Sequence, residues 1–378
     1  MQSITVKAPG RINLIGEHTD YNGGFVMPAA IQKAATVHIE LREDREIHLF
    51  AEDLQEEFQL SIDTIAKANL SWANYIIGVI AQFQKIITLP TGFTIRLKSD
   101  VPIGARLSSS AAIESSVAFA LNEIFSFGLD KMQLTKMAQK AEHEYAGVQC
   151  GIMDQFASMF GKKDQVILLD CNSMEYQYFP LVLEEYDIVL LDTQIKHALA
   201  SSEYNTRRKE CEQGIAQIQQ KYSAVKSLRD ATIEMLEDCV DQKTMPLVYK
   251  RCKYVIEEIK RTQDAAKDLQ ENKLEAFGQK MFATHSGLSA LYEVSCPELD
   301  FLVNAVASEF SNTNKYVIGA RMMGGGFGGC TINLIKKEAT ASVVQKLVAS
   351  YQNAFQKTLV HYIVSIEDGV GLFPTVSI

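Results

Sequence analysis

Residues 9–24, Pro-Gly-Arg-Ile-Asn-Leu-Ile-Gly-Glu-His-Thr-Asp-Tyr-Asn-Gly-Gly, constrain this chain more than any other stretch. Five polar side chains, Arg11, Asn13, Glu17, His18 and Asp20, sit between glycines directly after the apolar alternation of Ile4 and Val6. A core strand does not carry so many charges, and a solvated helix does not carry so many glycines. The pattern predicts a strand that opens into a loop whose polar groups converge on something small and rich in hydroxyls. A charged surface turn is the plainer reading.

The chain has 378 residues, which suggests two domains, each able to bury a core. The break is expected near Phe179-Pro180, giving domains at 1–180 and 181–378. A formal net charge of -9 argues against nucleic-acid partners and gives no general attraction for anions, so any phosphate site must be built locally. No long apolar run is present and the first five residues lack the shape of a signal peptide, so a cytoplasmic protein with no membrane partner is expected. The seven cysteines include no CxxC pair and are expected to be reduced and mostly packed. His143-Glu144 begins like a zinc motif, but position 147 is Gly, so the second ligand is missing.

Phe93 to Leu97 alternates like a half-buried strand, and Val166 to Leu169 and Ile188 to Leu191 read as buried strands. From Glu203 to about His285 the chain is polar and helical, and Glu257 to Arg261 reads as a solvated face.

Three further segments carry chemistry. Val101 to Ala112, with Ser108, Ser109 and Ser110, precedes a helix marked by Ile113, Val117, Ala120, Leu121 and Ile124. A helix start offers free N–H groups and a partial positive charge, both suited to phosphate. A serine N-cap is the structural alternative, but capping needs one serine rather than three. Neither Walker A nor protein-kinase signatures occur. In the second segment, Gly151 to Phe156, Asp154 is a single carboxylate in apolar surroundings, and Gly161 is a candidate C-cap. In the third, Gly324, Gly326 and Gly329 satisfy GxGxxG, but the strand-like Cys330 to Ile335 follows, where a dinucleotide turn would lead into a helix.

Taken in order, these segments resemble the motifs of the galactokinases, in the GHMP small-molecule kinase superfamily. Trp72-Ala73-Asn74-Tyr75 and Ser201 to Arg208 are shorter echoes. The resemblance implies an α+β fold of two domains, the first like the second domain of ribosomal protein S5 and the second ferredoxin-like, with the active site in the cleft between. It implies an ATP-dependent kinase acting on the anomeric hydroxyl of galactose to give α-D-galactose 1-phosphate, with Mg²⁺ as cofactor and a monomeric state. N-acetylgalactosamine or another sugar is the alternative substrate, and a non-catalytic sugar and ATP sensor is the alternative from another class.

The resemblance also assigns residues. Asp154 and Arg11 would be catalytic, the guanidinium aiming the carboxylate at the sugar hydroxyl. A carboxylate so paired is a weak base, which a loose phosphoryl-transfer transition state tolerates. Glu17, His18, Asp20 and Tyr204 would bind the sugar. Gly104, Leu107, Ser108, Ser109, Ser110, Ala111 and Trp72 would bind ATP, with Tyr75 near the base. Ser109 and Glu142 would hold the metal. Glu142 on residues alone reads as surface.

The chain departs from the pattern in three places. It starts almost at the first strand, and Met323 stands where Thr is common. Arg106 stands where Gly is usual. If that position needs positive φ, a side chain there costs roughly 1–2 kcal/mol. The side chain either crowds the triphosphate or adds a positive charge beside it; the expectation is weakened but surviving nucleotide use, with Arg106→Gly raising kcat/KM for ATP.

Overall fold

The computed structural model describes residues 2–102, 104–181, 183–196, 200–311 and 315–374. Along the first half the strands are β1 (Ser3–Asn13), β2 (Phe25–Val26), β3 (Pro28–Leu41), β4 (Glu46–Ala51), β5 (Glu56–Ser61), β6 (Phe93–Ser99), β7 (Gln165–Asp170) and β8 (Tyr176–Pro180). They are interleaved with helices α1 (Ser71–Gln84), α2 (Ser109–Ile124), α3 (Lys131–Ala141) and α4 (Met153–Phe160). The second half adds β9 (Tyr186–Lys196), β10 (Val317–Met322), β11 (Gly328–Lys336), β12 (Val360–Val364) and β13 (Gly371–Phe373). Its helices are α5 (Ala200–Lys221), α6 (Ile233–Cys239), α7 (Pro246–Gln270), α8 (Leu274–Ala290), α9 (Pro297–Ala305) and α10 (Thr340–Phe355).

β1 explains how the first sheet meets the site. Val6 and Ala8 are buried between partly exposed Thr5 and Lys7, and from Ala8 to Asn13 every residue is buried. The strand therefore runs from a half-covered sheet into the interior, and carries Arg11 with it. Its sheet has the order β13-β1-β3-β6-β4-β5, antiparallel except for the parallel β4–β6 pair. The N-terminal strand is thus paired on both sides, by β13 and β3. The β1–β3 register slips between Pro9 and Arg11, where Gly10 backs directly onto the Leu107 carbonyl. A Cβ at Gly10 would lie 2.5 Å from that oxygen, so glycine is what lets the strand touch the loop before α2.

α2 packs across β1 and β3 with α1 and α3 beside it. Trp72, Ala73, Ile76, Ile77, Val79, Ile80 and Phe83 of α1 are buried at helical spacing, so that face fills the core. The second sheet has the order β10-β11-β9-β12, all antiparallel, and α8, α9 and α10 pack around it. A small third sheet, β2-β7-β8, packs on β3 and α7.

The strands expected at Phe93, Val166 and Ile188 are found in β6, β7 and β9, and the polar helical region becomes α5 to α8. One local expectation is met in its own way and one needs correction. Gly161 does end α4, but at φ -46 rather than in a left-handed turn. Glycine is needed there because a Cβ would lie 2.3 Å from Ala30 Cβ. Glu258 is not on a solvated face, being fully buried. It accepts from the Gly16 N–H at 3.0 Å and from the Thr284 hydroxyl at 2.9 Å. α7 packs on the turn after β1, whose buried N–H groups need acceptors.

Candidate active site

A cavity of about 360 Å³ opens where the two sheets' loops meet. From the first half its lining includes Arg11, Glu17, His18, Asp20, Gly104, Leu107, Ser108, Ser109, Ser110, Glu142 and Asp154, and from the second Tyr204, Gly324 and Gly325. Motifs read separately in the sequence thus face one space. Of the residues assigned to the site beforehand, Trp72, Tyr75 and Ala111 do not line it. Trp72 is in the core with its indole N–H on the Glu56 carboxylate at 2.6 Å. The Ala111 side chain is buried, so toward the cavity it has its backbone to offer.

At the centre, Arg11 holds Asp154 with both edges of its fork, Nε donating to Oδ1 at 2.8 Å and Nη2 to Oδ2 at 3.0 Å. Nη1 of Arg11 donates to the Arg106 carbonyl at 2.6 Å. This three-point grip fixes a guanidinium that is 4% exposed. Asp154 lies in the first turn of α4, where the helix dipole favours a negative charge. The Ser108 hydroxyl donates to Asp154 Oδ2 at 2.5 Å. Ser108 precedes α2 in a left-handed conformation (φ 59), so its hydroxyl faces the carboxylate and makes no cap bond to its own helix.

On one side of this pair lie the groups suited to hydroxyls. Glu17 accepts from the Gly324 N–H at 2.8 Å and from two nitrogens of Arg321 at 3.1 Å each. Burial alone would raise the Glu17 carboxyl, but Arg321, Arg11 and the Gly324 N–H outweigh it and hold it below the usual carboxylate range. His18 shares a proton with Tyr21 at 2.7 Å, and Tyr21 with Tyr292 at 2.8 Å. Burial pulls the His18 imidazole down to about 4, so it stays neutral near pH 7 and can both give and take hydrogen bonds. Asp20 is pushed up to about 7, first by burial and then by the Asp154 charge. Its carboxylate sits against Gly151, where a Cβ would fall 1.7 Å from Oδ2. The Tyr204 ring packs on Gly325 in the same way, a Cβ there lying 3.2 Å from Tyr204 Cδ2.

On the other side lie the groups suited to phosphate and metal. Gly104 (φ 87), Ser109 and Ser110 line the approach to the N-terminus of α2. Glu142 follows α3 at a π-helical turn and accepts from the Ser110 hydroxyl at 3.0 Å and the Gln155 amide at 2.7 Å. Among the described hydroxyls it is Ser110, not Ser109, that bonds Glu142. Burial and the Asp154 charge push the Glu142 carboxyl up. Its neighbours at Ser109 and Ser110 supply oxygen donors, the kind that Mg²⁺ takes.

Three contributors were not found in the sequence. Arg321, fully buried in β10, anchors Glu17 and also donates to the Leu14 carbonyl at 2.8 Å. A single charge in the apolar strand Val317–Met322 was the signal for it. Gln155 bridges Glu142 to the buried Glu114, donating to the latter at 3.0 Å. Cys150 lines the cavity beside Glu142.

Comparison with known proteins gives a consistent result. The model for the galactokinase galactose-binding signature matches residues 2–41, that for the GHMP kinases N terminal domain residues 74–162, and that for the GHMP kinases C terminal residues 265–353. The galactokinase of Thermotoga maritima is 43% identical over 367 residues, which cover 97% of this chain and 99% of the relative. The crystal structure of Lactococcus lactis galactokinase complexed with galactose superposes with a TM-score of 0.93 at 33% identity, over 98% of this chain and 95% of that one. Mevalonate kinase of Methanococcus jannaschii, at 19% identity and a TM-score of 0.64 over 97% of this chain and 99% of that one, shares the fold.

Proposed function

This chain belongs to the galactokinase family of the GHMP kinases, and from that membership we propose that it transfers the γ-phosphoryl group of ATP to the anomeric hydroxyl of galactose. The products are α-D-galactose 1-phosphate and ADP. The observation that carries the reading is the Arg11–Asp154 pair, set between hydroxyl-binding groups and the start of α2 in one cavity.

Galactose lies against Glu17, His18, Asp20 and Tyr204. A sugar lacking the matching hydroxyl leaves those buried groups unpaired, which is a strong basis for discrimination. Asp154 accepts the hydrogen bond of the reacting hydroxyl and, as the O–P bond forms, its proton. Ser108 and Arg11 fix the carboxylate's direction. The Arg11 guanidinium also offsets charge on the phosphoryl group in flight. ATP meets Gly104, Leu107 and the serines at 108–110, with the free N–H groups of the first turn of α2, Ala111 included, directed to its phosphates. Trp72 is assigned to the base end of the nucleotide. Ser109 and Glu142 would hold Mg²⁺, which would supply charge neutralisation on the phosphate oxygens. Transfer is direct.

We assign the domains to 1–180 and 181–378, since β8 ends at Pro180 and β9 opens the second sheet at Tyr186, with β13 crossing back to pair with β1 in the first sheet. Among the described residues no helix is long and apolar enough to cross a membrane. A cytoplasmic monomer without nucleic-acid partners fits the acidic balance.

An ADP-release assay across galactose, N-acetylgalactosamine, arabinose and glucose tests the reading. Release is expected with galactose. Release with N-acetylgalactosamine alone overturns the substrate, and galactose-dependent thermal stabilisation without ADP overturns the enzyme.

A further inference from the structure

Arg106 occupies a position where a side chain is costly. Its φ is 61, in the left-handed region that favours glycine. A residue held there persists when its surroundings over-determine it. The surroundings of Arg106 are two loops distant in sequence. Its carbonyl accepts from Arg11 Nη1 at 2.6 Å, which ties its backbone to the catalytic pair. Its side chain lines the cavity and lies over the glycine loop after β10, with Nη2 donating to the Gly326 carbonyl at 3.0 Å. The methylenes lie on the glycines themselves. A Cβ at Gly329 would fall 2.4 Å from Arg106 Cγ, and one at Gly324 would fall 3.0 Å from Arg106 Cβ.

That glycine loop, which runs into β11 at Gly328, takes left-handed backbone along most of its length. Gly324, Gly326, Gly328 and Gly329 all have positive φ, at 81, 85, 118 and 87, and so does Phe327 at 59. Five glycines in six positions bring high conformational entropy and few side chains to hold them. Yet the loop has work on the sugar side of the cavity. The Gly324 N–H holds Glu17, Gly325 supports the Tyr204 ring, and both glycines line the space.

We propose that Arg106 is a positioning residue that straps the 324–329 glycine loop onto the loop before α2, so that galactose affinity, more than ATP affinity, depends on it. Ordering the loop beforehand removes a cost that galactose binding otherwise bears. This differs from the expectation that Arg106 obstructs the triphosphate. The inference rests on the galactose reading above, but one readout is independent of it.

Three variants separate backbone from side chain. Arg106→Ala keeps the left-handed conformation and removes the strap. Arg106→Gly relieves the backbone and removes the strap. Arg106→Lys keeps one N–H donor within reach of the Gly326 carbonyl. Loss of a charged hydrogen bond predicts galactose KM and calorimetric Kd raised about tenfold in both Ala and Gly variants, with KM for ATP within about twofold. The Lys variant recovers most of the affinity. Hydrogen exchange in the absence of any ligand is the independent readout. Amides at 324–329 lose protection in the Ala and Gly variants and retain it in the Lys variant. Unchanged exchange in both Ala and Gly variants overturns the strap, as does a change in KM for ATP with galactose affinity untouched. Wild-type turnover on galactose tests the underlying reading by itself, before any variant is made.

Discussion

Arg11 and Asp154, 143 positions apart in the chain, face each other through two parallel hydrogen bonds of 2.8 and 3.0 Å. The arginine comes from the interior end of β1 and the aspartate from the first turn of α4, and neither is placed by its sequence neighbours. Fixing this geometry is what β1, α2 and α4 accomplish by packing together.

Asp154→Asn keeps the shape and removes the charge and the proton acceptor. The kcat for galactose phosphorylation is expected to fall about 10²–10⁴-fold. Galactose Kd, read by calorimetry, changes little because Glu17, His18 and Asp20 remain. Substantial residual turnover removes Asp154 from the chemistry.

Asp20, raised to about 7 by burial and by Asp154, gives a pH dependence of known sign. The charged form accepts from sugar hydroxyls and exists above that pH. As pH falls through about 7 the group takes a proton, so kcat/KM for galactose falls with it. Asp20→Asn is expected to lower kcat/KM and to flatten this acid limb. An acid limb of the same midpoint in the variant assigns it to another group.

Gly151→Ala tests the close approach of backbone and carboxylate. Its Cβ would fall 1.7 Å from Asp20 Oδ2, and the far end of a side chain can swing aside. The melting temperature should therefore hold within a few degrees while galactose KM rises about tenfold through the displaced acceptor. A large thermal loss with normal KM contradicts this.

Glu142→Gln preserves size and removes the charge proposed to face Mg²⁺. The Mg²⁺ concentration for half-maximal activity is expected to rise at least about tenfold, with galactose Kd unchanged. A variant with the wild-type Mg²⁺ dependence takes Glu142 out of the metal site.

Much of the site was legible because its pieces are short and dense. Residues 9–24 crowd charge between glycines, and three consecutive serines precede a helix, patterns that a core strand or a plain cap does not produce. The element types followed from periodicity, as at Ile113 to Ile124 and Phe93 to Leu97. What escaped depends on partners distant in the chain. Glu258 looks like any helix-surface acid until the Gly16 N–H arrives against it. The direction taken by the Arg106 side chain is set by Gly324 to Gly329, whose missing side chains leave the groove it fills. Gln155 carries no sequence signal, since its amide matters through two carboxylates on other helices.

The pairing of β1 with β13, Thr5 opposite Phe373, bears on how the molecule comes into being. A ribosome delivers Arg11 well before Gly371, so the strand that bears Arg11 waits for its second neighbour until residues 371–373 are made. Nascent chains halted before Gly371 leave that strand's flank open.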